Sequence, residues 1–142
     1  LREDRSLLPR AIEEVLRWSS STPYNRRTAT RDVELRGQTI RAGDKVTLWW
    51  ASANRDPEYF EDPEVFKADR RPNKLMSFGS GAHICLGQHL ARLEMRLLFE
   101  ELLSRVDHIE LTGPVASVAS FQISGPKSAP IRFRMTSANK TQ

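Results

Sequence analysis

The chain has 142 residues, 39% of them hydrophobic, and a formal net charge of +4, which allows one modest core and argues against disorder. Its apolar runs are far shorter than a membrane span, and its single cysteine excludes an intrachain disulfide and fits a reducing compartment. The basic balance is weak evidence for nucleic acid, because no interleaving of basic and aromatic residues accompanies it.

The first half of the chain predicts one helix followed by short strands. Residues 9–18 carry an apolar face at helical spacing, a proline suits the first turn, and residues 19–23 (SSSTP) end the helix. Residues 33–35 alternate as a strand, residues 42–44 form a turn, and residues 46–50 alternate as a further strand.

The second half predicts a long helix between irregular and strand-rich segments. A short helical turn lies within residues 56–63, and residues 64–84 show little periodicity, so we expect them to be irregular but packed. Residues 86–104 predict the long helix, and residues 106–135 predict short strands broken by Gly-Pro pairs. The polar residues 137–142 are expected to fray.

The most informative segment is residues 78–87 (FGSGAHICLG), which contain the only cysteine. Gly79, Gly81 and Gly87 let the backbone bend tightly and approach a ligand closely. Cys85 stands at the start of the long helix, where unpaired N–H groups and the helix dipole favour the thiolate. The helix that follows carries one apolar stripe, made of Leu86, Leu90, Leu93 and Leu97.

The spacing F-x-x-G-x-H-x-C-x-G resembles the haem-binding signature of the cytochrome P450 family, and the chain is similar to the C-terminal part of a P450. The resemblance implies the C-terminal portion of a mainly α-helical fold. In this piece the fold class would be α+β, with two main helices, small β-sheets and an irregular haem-binding loop. Residues 1–142 would then be part of a single domain whose distal helices are absent. The first residue, Leu1, also suggests a piece of a longer protein.

The resemblance implies haem b, iron protoporphyrin IX, as the cofactor. The residues that it places against the haem are Arg27, Phe78, Gly79, His83, Cys85 and Gly87. The Cys85 thiolate would be the proximal ligand of the iron and the catalytic residue, because an anionic sulfur pushes electron density to the metal and favours O–O cleavage. Gly87 would let backbone amides reach the sulfur, and Phe78 would keep water from it.

Two side chains are expected to bind the haem propionates. His83 and Arg27 match family positions with that role, and a guanidinium fork suits a carboxylate. Leu75 stands where the family often has a further propionate-binding histidine, so anchoring would depend more heavily on His83 and Arg27. The alternatives are that Arg27 is only a cation at a strand edge and that Cys85 is a small buried hydrophobe.

Glu14 and Arg17 resemble the family's Glu-x-x-Arg pair, to which Arg70 would add a second arginine. The resemblance implies a buried, charge-assisted network that locks the irregular segment before the cysteine loop. The alternative is a solvated pair at i and i+3, worth a few tenths of a kcal/mol.

Arg92 and Arg96 lie four residues apart on the long helix, off the leucine stripe, and are expected to bind the electron donor, because Arg92 matches a family position that faces it. The resemblance implies two partners, a ferredoxin and an NAD(P)H-dependent ferredoxin reductase, because acidic ferredoxins dock basic surfaces. A solvated helix face is the alternative.

With no nucleic-acid partner and no membrane anchor expected, the protein would be cytoplasmic.

The implied activity of the complete protein is monooxygenation, the insertion of one oxygen atom from O₂ into a C–H bond of an apolar small molecule. Asn25, Gln122 and Ile123 match positions beside the substrate, and residues 26–35 are similar to P450s that oxidise sterols and branched lipids. The 142-residue chain alone is expected to be inactive. A non-catalytic haem-binding remnant, a structural module and a peroxide-driven P450 are the alternatives.

Overall fold

The computed structural model of the protein describes residues 1–136, and the tail predicted to fray lies outside them. The described residues form three α-helices, two 3-10 turns and eight short strands, as expected for an α+β piece. The helices are α1 (Leu8–Ser19), α2 (Trp50–Ala53) and α3 (Gln88–Arg105), and the 3-10 turns are Arg5–Leu7 and Gly81–His83.

The strands pair locally into four two-stranded antiparallel sheets. They are β1 (Tyr24–Thr28), β2 (Val33–Leu35), β3 (Gln38–Ile40), β4 (Lys45–Trp49), β5 (Val106–Leu111), β6 (Ala116–Ser117), β7 (Pro126–Ser128) and β8 (Ile131–Met135). The pairs are β1 with β4, β2 with β3, β5 with β8, and β6 with β7. In the first pair Arg27 lies opposite Val46, and in the third Ile109 lies opposite Phe133.

Helix α1 begins and ends within one residue of the bounds that its sequence predicts. Pro9 occupies the first turn, where its missing N–H costs no intrahelical hydrogen bond. Ser20 ends the helix in the left-handed region at φ 40°, and its N–H donates to the Leu16 carbonyl. The buried apolar side of the helix consists of Leu8, Ala11 and Ile12.

The core of the described chain mixes apolar and charged side chains. Phe60 and Val106 join the apolar residues of α1, while the fully buried side chains are Glu14, Arg17 and Asn54. Both sides of α1 are therefore covered, one by apolar packing and the other by ion pairs and hydrogen bonds. The irregular segment 64–84 covers the charged side, as the sequence predicts.

Three local predictions differ from the structure. The long helix begins at Gln88, two residues later than expected, and Leu86 lies in a turn and is 99% exposed. Trp50 was expected to end a strand but begins α2, where the Ala51 N–H donates to the Pro23 carbonyl. Strand β1 is absent from the expectations, because its sequence YNRRT has no apolar alternation and its partner lies beyond an intervening hairpin.

The apolar stripe of α3 is open to solvent in this chain. Leu90, Leu93 and Leu97 are 59%, 42% and 50% exposed, and Leu98 beside them is 56% exposed. Helix α3 contacts α1 and the start of β5 along its other sides. Among residues 1–136, none of the helices has the length and hydropathy of a membrane-spanning segment.

Candidate functional site

The loop of residues 78–87, here called the Cys85 loop, folds back on itself before α3. Gly79 and Gly81 both have φ +70°, a region that side chains beyond glycine rarely adopt. The Cys85 N–H donates to the Phe78 carbonyl at 2.9 Å, and the Ile84 N–H donates to the Gly81 carbonyl at 3.1 Å. These bonds hold Cys85 beside Phe78 at the entrance to the helix.

The Cys85 side chain is exposed, in contrast to a small hydrophobe packed in a core. A Cβ at position 87 would lie 3.9 Å from Cys85 Sγ, so Gly87 keeps side-chain atoms away from the sulfur. In the described residues Cys85 is therefore not packed as a small buried hydrophobe. A sulfur kept accessible on a tight loop is suited to binding a metal or a reactive group.

A cavity of about 660 Å³ opens beside the sulfur, within the range of about 300–1,000 Å³ that is typical of ligand and cofactor sites. It is bounded by the Cys85 loop, by residues 76 and 77 before it, and by β1 and β4. The lining residues are Ser21, Thr22, Asn25, Arg27, Leu48, Trp50, Met76, Ser77, Phe78, Gly79, Ser80, His83 and Cys85.

The structure brings five other predicted site residues to the cavity with Cys85, namely Asn25, Arg27, Phe78, Gly79 and His83, whereas Gly87 does not line it. Arg27 and His83 are exposed side chains in its lining, so a cation and an imidazole face the same space as the thiol. Asn25 also lines it, and its Oδ1 accepts a hydrogen bond from Trp50 Nε1 at 2.8 Å. Phe78 is half-buried there. A thiol donor, two groups suited to carboxylates and an aromatic wall fit a haem with propionate side chains.

Gln122 and Ile123 do not line this cavity. They lie in the exposed turn between β6 and β7, and Ile123 is 57% exposed. The Ser124 N–H donates to the Ser21 carbonyl at 2.7 Å, and Ser21 is a lining residue. The turn is thus tied to the rim of the cavity, next to the wall where these two residues were expected.

Glu14 and Arg17 form a fully buried, two-point ion pair on α1. Arg17 Nε and Nη2 donate to the two Glu14 carboxylate oxygens, both at 2.7 Å. The remaining Arg17 N–H groups donate to backbone carbonyls within or before the irregular segment, those of Asn54, Pro63 and Val65. The pair is therefore not the solvated surface pair considered as an alternative.

Arg70 closes this cluster from the opposite side. Its Nε lies 3.1 and 3.0 Å from the two Glu14 oxygens, and its Nη atoms donate to the carbonyls of Glu61, Asp62 and Val65. We call Glu14, Arg17 and Arg70 the Glu14 network. Removing one member breaks a buried ion pair, so we expect a loss of about 3–5 kcal/mol of unfolding free energy.

The environment of Glu14 stabilises its charged form. Burial alone opposes ionisation most strongly, but hydrogen bonds from Arg17, from the Lys67 N–H and from Arg70 outweigh it and hold the Glu14 pKa below its ordinary value of 4.5. The Lys67 N–H reaches Glu14 Oε1 at 2.9 Å. The carboxylate is thus charged at neutral pH, and a fourth donor, the Asn73 amide Nδ2, lies 3.2 Å from Glu14 Oε2.

Asn54 joins the Glu14 network to residues 76 and 77, immediately before the Cys85 loop, and the sequence does not predict this role. Its fully buried amide Nδ2 donates to the hydroxyls of Ser20 and Ser77, each at 2.8 Å, and its Oδ1 accepts from the Met76 N–H at 2.6 Å. Ser77 in turn donates to the Leu16 carbonyl of α1 at 2.6 Å. An asparagine ahead of Arg-Asp-Pro reads locally as a turn residue, so only tertiary contacts reveal this function.

Arg92 is not the free surface cation that docking would favour. Its guanidinium binds both Glu13 oxygens, at 2.6 and 3.0 Å, and lies 4.7 Å from the Phe78 ring centroid. Its side chain is 30% exposed. The Arg96 side chain is 53% exposed, and its nearest carboxylate oxygen, on Glu100, is as far as 3.9 Å away. Arg96 therefore presents its charge to solvent. The expectation of a docking cation therefore fits Arg96 better than Arg92.

Comparison with known proteins finds relatives that match most of the length of this chain. The family model described as Cytochrome P450 matches residues 1–124. The chain is 48% identical over 132 residues to Cytochrome P450-terp of a Pseudomonas species, covering 93% of this chain and 31% of that protein. It is 48% identical over 128 residues to a methyl-branched lipid omega-hydroxylase of Mycobacterium tuberculosis, covering 89% of this chain and 30% of that protein.

Solved structures agree with the sequence relatives. The crystal structure of CYP108D1 from Novosphingobium aromaticivorans superimposes with a TM-score of 0.90 at 46% identity, covering 95% of this chain and 33% of that one. The chain thus spans about a third of the length of the proteins that it matches. The matched third contains the Cys85 loop, the Glu14 network and the cavity beside Cys85.

Proposed function

Because the chain belongs to the cytochrome P450 family, we propose that residues 1–142 form the C-terminal, haem-ligating part of a single P450 domain and supply its proximal wall. The family implies a haem-iron cofactor, and we propose haem b as its form. The observation that carries the proposal is the exposed Cys85 sulfur on the wall of a cavity that it shares with Arg27 and His83. With electrons and O₂, the bound haem would supply insertion of one oxygen atom into a C–H bond.

The residues of this chain would bind, orient and shield that group. Cys85 would donate a thiolate sulfur to the iron and push electron density toward it. Arg27 would form a two-point contact with a propionate, and His83 would donate a hydrogen bond to another carboxylate oxygen. Phe78, half-buried beside the loop, would exclude water from the sulfur. Gly79 would allow the backbone turn, and Gly87 would leave the sulfur uncrowded.

The Glu14 network would hold the loop in one geometry without touching the haem. Its hydrogen bonds to the carbonyls of residues 61–65 fix the irregular segment, and Asn54 carries the connection to residues 76 and 77. A ligand atom displaced by about 1 Å loses much of its effect, so a rigid buried support is useful to a thiolate site.

We propose that electrons come from a ferredoxin and an NAD(P)H-dependent reductase, and that the substrate is an apolar small molecule. The basic net charge of +4 and the exposed Arg96 support docking of an acidic protein. The methyl-branched lipid hydroxylase among the relatives supports a branched alkyl substrate. Asn25 would contact it from the cavity wall, with Gln122 and Ile123 at the rim.

The test uses the complete protein that contains these residues, reduced and exposed to carbon monoxide. We expect the long-wavelength carbonyl band of a haem thiolate, together with turnover that requires O₂ and the reductase. Cys85→Ser is expected to lose both, because a hydroxyl does not replace an anionic sulfur. Retention of the same band by Cys85→Ser would overturn the ligand assignment.

The same experiment separates the alternatives. A thiolate band without any turnover would indicate a haem-binding remnant. Turnover with peroxide alone, at a rate that the reductase system does not exceed, would indicate a peroxide-driven P450. Either result would retain Cys85 as ligand and overturn the proposed electron donors.

A further inference from the structure

Arg92 links three separate parts of the chain through one side chain. From the second turn of α3 it reaches Glu13 on α1, where Nε lies 2.6 Å from Oε1 and Nη2 lies 3.0 Å from Oε2. Its remaining Nη1 donates to Gln88, to the carbonyl at 3.3 Å and to Oε1 at 3.1 Å. The guanidinium is therefore held by a two-point ion pair across 79 residues of sequence and by its own helix.

The third contact is with the Cys85 loop. The guanidinium carbon of Arg92 lies 4.7 Å from the centre of the Phe78 ring, within the range of a cation–π contact. The carbonyl of Phe78 accepts the hydrogen bond from the Cys85 N–H at 2.9 Å. A chain of direct contacts thus leads from Glu13 through Arg92 and Phe78 to the backbone of Cys85.

Other arginines of α3 make no comparable connection. Arg105 binds Glu101 at 2.6 Å, but both side chains lie on the same helix and are 69% and 61% exposed. Arg96 lies 3.9 Å from Glu100, also on the same helix. Glu13 and Arg92 are instead 29% and 30% exposed, and the Glu13 carboxylate raises the Arg92 pKa, so the cation persists at any working pH.

We propose that Arg92 is a positioning residue for the Cys85 sulfur: held by Glu13, it clamps the Phe78 ring and thereby fixes the loop that presents the thiolate. The inference rests on the proposed haem-thiolate function and assigns Arg92 a role other than donor docking. Its action requires the planar fork, which both binds a carboxylate at two points and stacks on a ring. Lysine keeps the charge but has neither property.

The experiment compares Arg92→Lys with Arg105→Lys in the complete, haem-loaded protein. The measured quantity is the fraction of the reduced carbonyl complex that lacks the thiolate-type band, in buffer and after brief incubation in low urea. We expect Arg92→Lys to raise this fraction about three- to tenfold, the size expected when a partly buried cation–π contact is lost. The matched control Arg105→Lys, with an exposed fork on the same helix, is expected to equal the wild type.

Two further variants test the contacts that lead from Glu13 through Arg92 to Phe78, while the Arg92 charge is kept. Glu13→Gln and Phe78→Leu are each expected to raise the same fraction. The double variant Arg92→Lys/Phe78→Leu is expected to raise it no more than the stronger single, because both changes remove one contact. Because lysine keeps the positive charge, a loss of donor docking would not explain a raised thiolate-free fraction in Arg92→Lys.

A thiolate-free fraction in Arg92→Lys equal to that of Arg105→Lys would overturn the inference. If Arg92→Lys does not yield folded protein, the same measurement is made on Glu13→Gln. A thiolate-free fraction in Glu13→Gln equal to that of the wild type would also overturn the inference. Failure of the proposed function looks different, since the wild type itself would then show no thiolate-type band.

Discussion

The Glu14 network and the wall around Cys85 use charged side chains in opposite ways. In the network all five N–H groups of Arg17 are bonded within the chain, and Glu14 and Arg17 are fully buried. At the cavity Arg27 and His83 are exposed. The network uses its charges within the fold, whereas the exposed Arg27 and His83 are proposed to bind a ligand. On this proposal, one region of the chain holds the loop and another binds the ligand.

The largest expected effect concerns the 142-residue chain by itself. Supplied with haem, a reductase and a ferredoxin, it is expected to give no O₂-dependent turnover, because a wall on one face does not enclose a substrate. It is also expected to associate through the exposed Leu90, Leu93 and Leu97. Light scattering and a turnover assay measure both properties.

A matched variant sharpens that prediction. Leu93→Lys/Leu97→Lys is expected to increase the monomer fraction and leave the helix content unchanged, since neither side chain is buried in this chain. A monomeric, cooperatively unfolding chain with steady O₂-dependent turnover would contradict the account and make these residues a complete minimal enzyme.

The next largest effect is expected from a substitution that disrupts the Glu14 network and leaves the cavity lining unchanged. In the complete protein, Arg70→Met is expected to lower the free energy of unfolding by about 3–5 kcal/mol, because it breaks the buried pair with Glu14 and leaves the carbonyls of Glu61 and Asp62 without their donor. Haem retention should fall with it. Urea unfolding measures the first quantity, and the Soret absorbance retained after gel filtration measures the second.

Two further measurements distinguish the buried Glu14 network from ordinary surface ion pairs. Arg36→Met, which removes an ion pair to Glu58 with both side chains more than half exposed, is expected to leave the unfolding midpoint unchanged. Arg17→Met/Arg70→Met is expected to cost less than the sum of its single changes, because the two arginines share Glu14. Strictly additive and small losses would indicate independent surface pairs instead.

The third effect is the pH dependence of the same region. The pKa of Glu14 lies below its ordinary value of 4.5 in the folded protein, so its contribution is present above pH 4.5 and is lost as pH falls through the folded pKa. Glu14→Gln is expected to be less stable than the wild type at neutral pH, and the gap between them should shrink below pH 4.5. Urea midpoints across the acid range measure the gap, and a constant gap would mean that the carboxylate charge is not what the arginines stabilise.

The smallest expected effect concerns the docking surface. Arg96→Glu is expected to reduce ferredoxin-supported turnover about two- to fivefold at low salt, because one exposed charge contributes about 0.2–1 kcal/mol. Turnover driven by peroxide should be affected much less. Arg92→Glu, in contrast, is expected to reduce both activities, since it breaks the contacts with Glu13 and Phe78. Equal losses in both assays for Arg96→Glu would remove it from the docking surface.

The sequence predicts the local features of both regions and few of their long-range contacts. Helix α1, strand β2 and the irregular segment follow from periodicity and turn residues. The start of α3 is misplaced because Leu86 continues the leucine spacing into a turn. The role of Asn54 and the partner of Arg92 are beyond local patterns, since Glu13 and Arg92 are 79 residues apart. Conversely, the family signature placed Arg70 beside Glu14, which periodicity alone could not do.

The most direct test of the account is X-ray absorption at the iron edge of the complete, haem-loaded protein. The account predicts one sulfur atom in the first coordination shell of the iron in the wild type. It predicts none in Cys85→Ser, with α1 and the Glu14 network folded in both proteins. A first shell of nitrogen and oxygen alone in the wild type, or a sulfur that persists in Cys85→Ser, would contradict it.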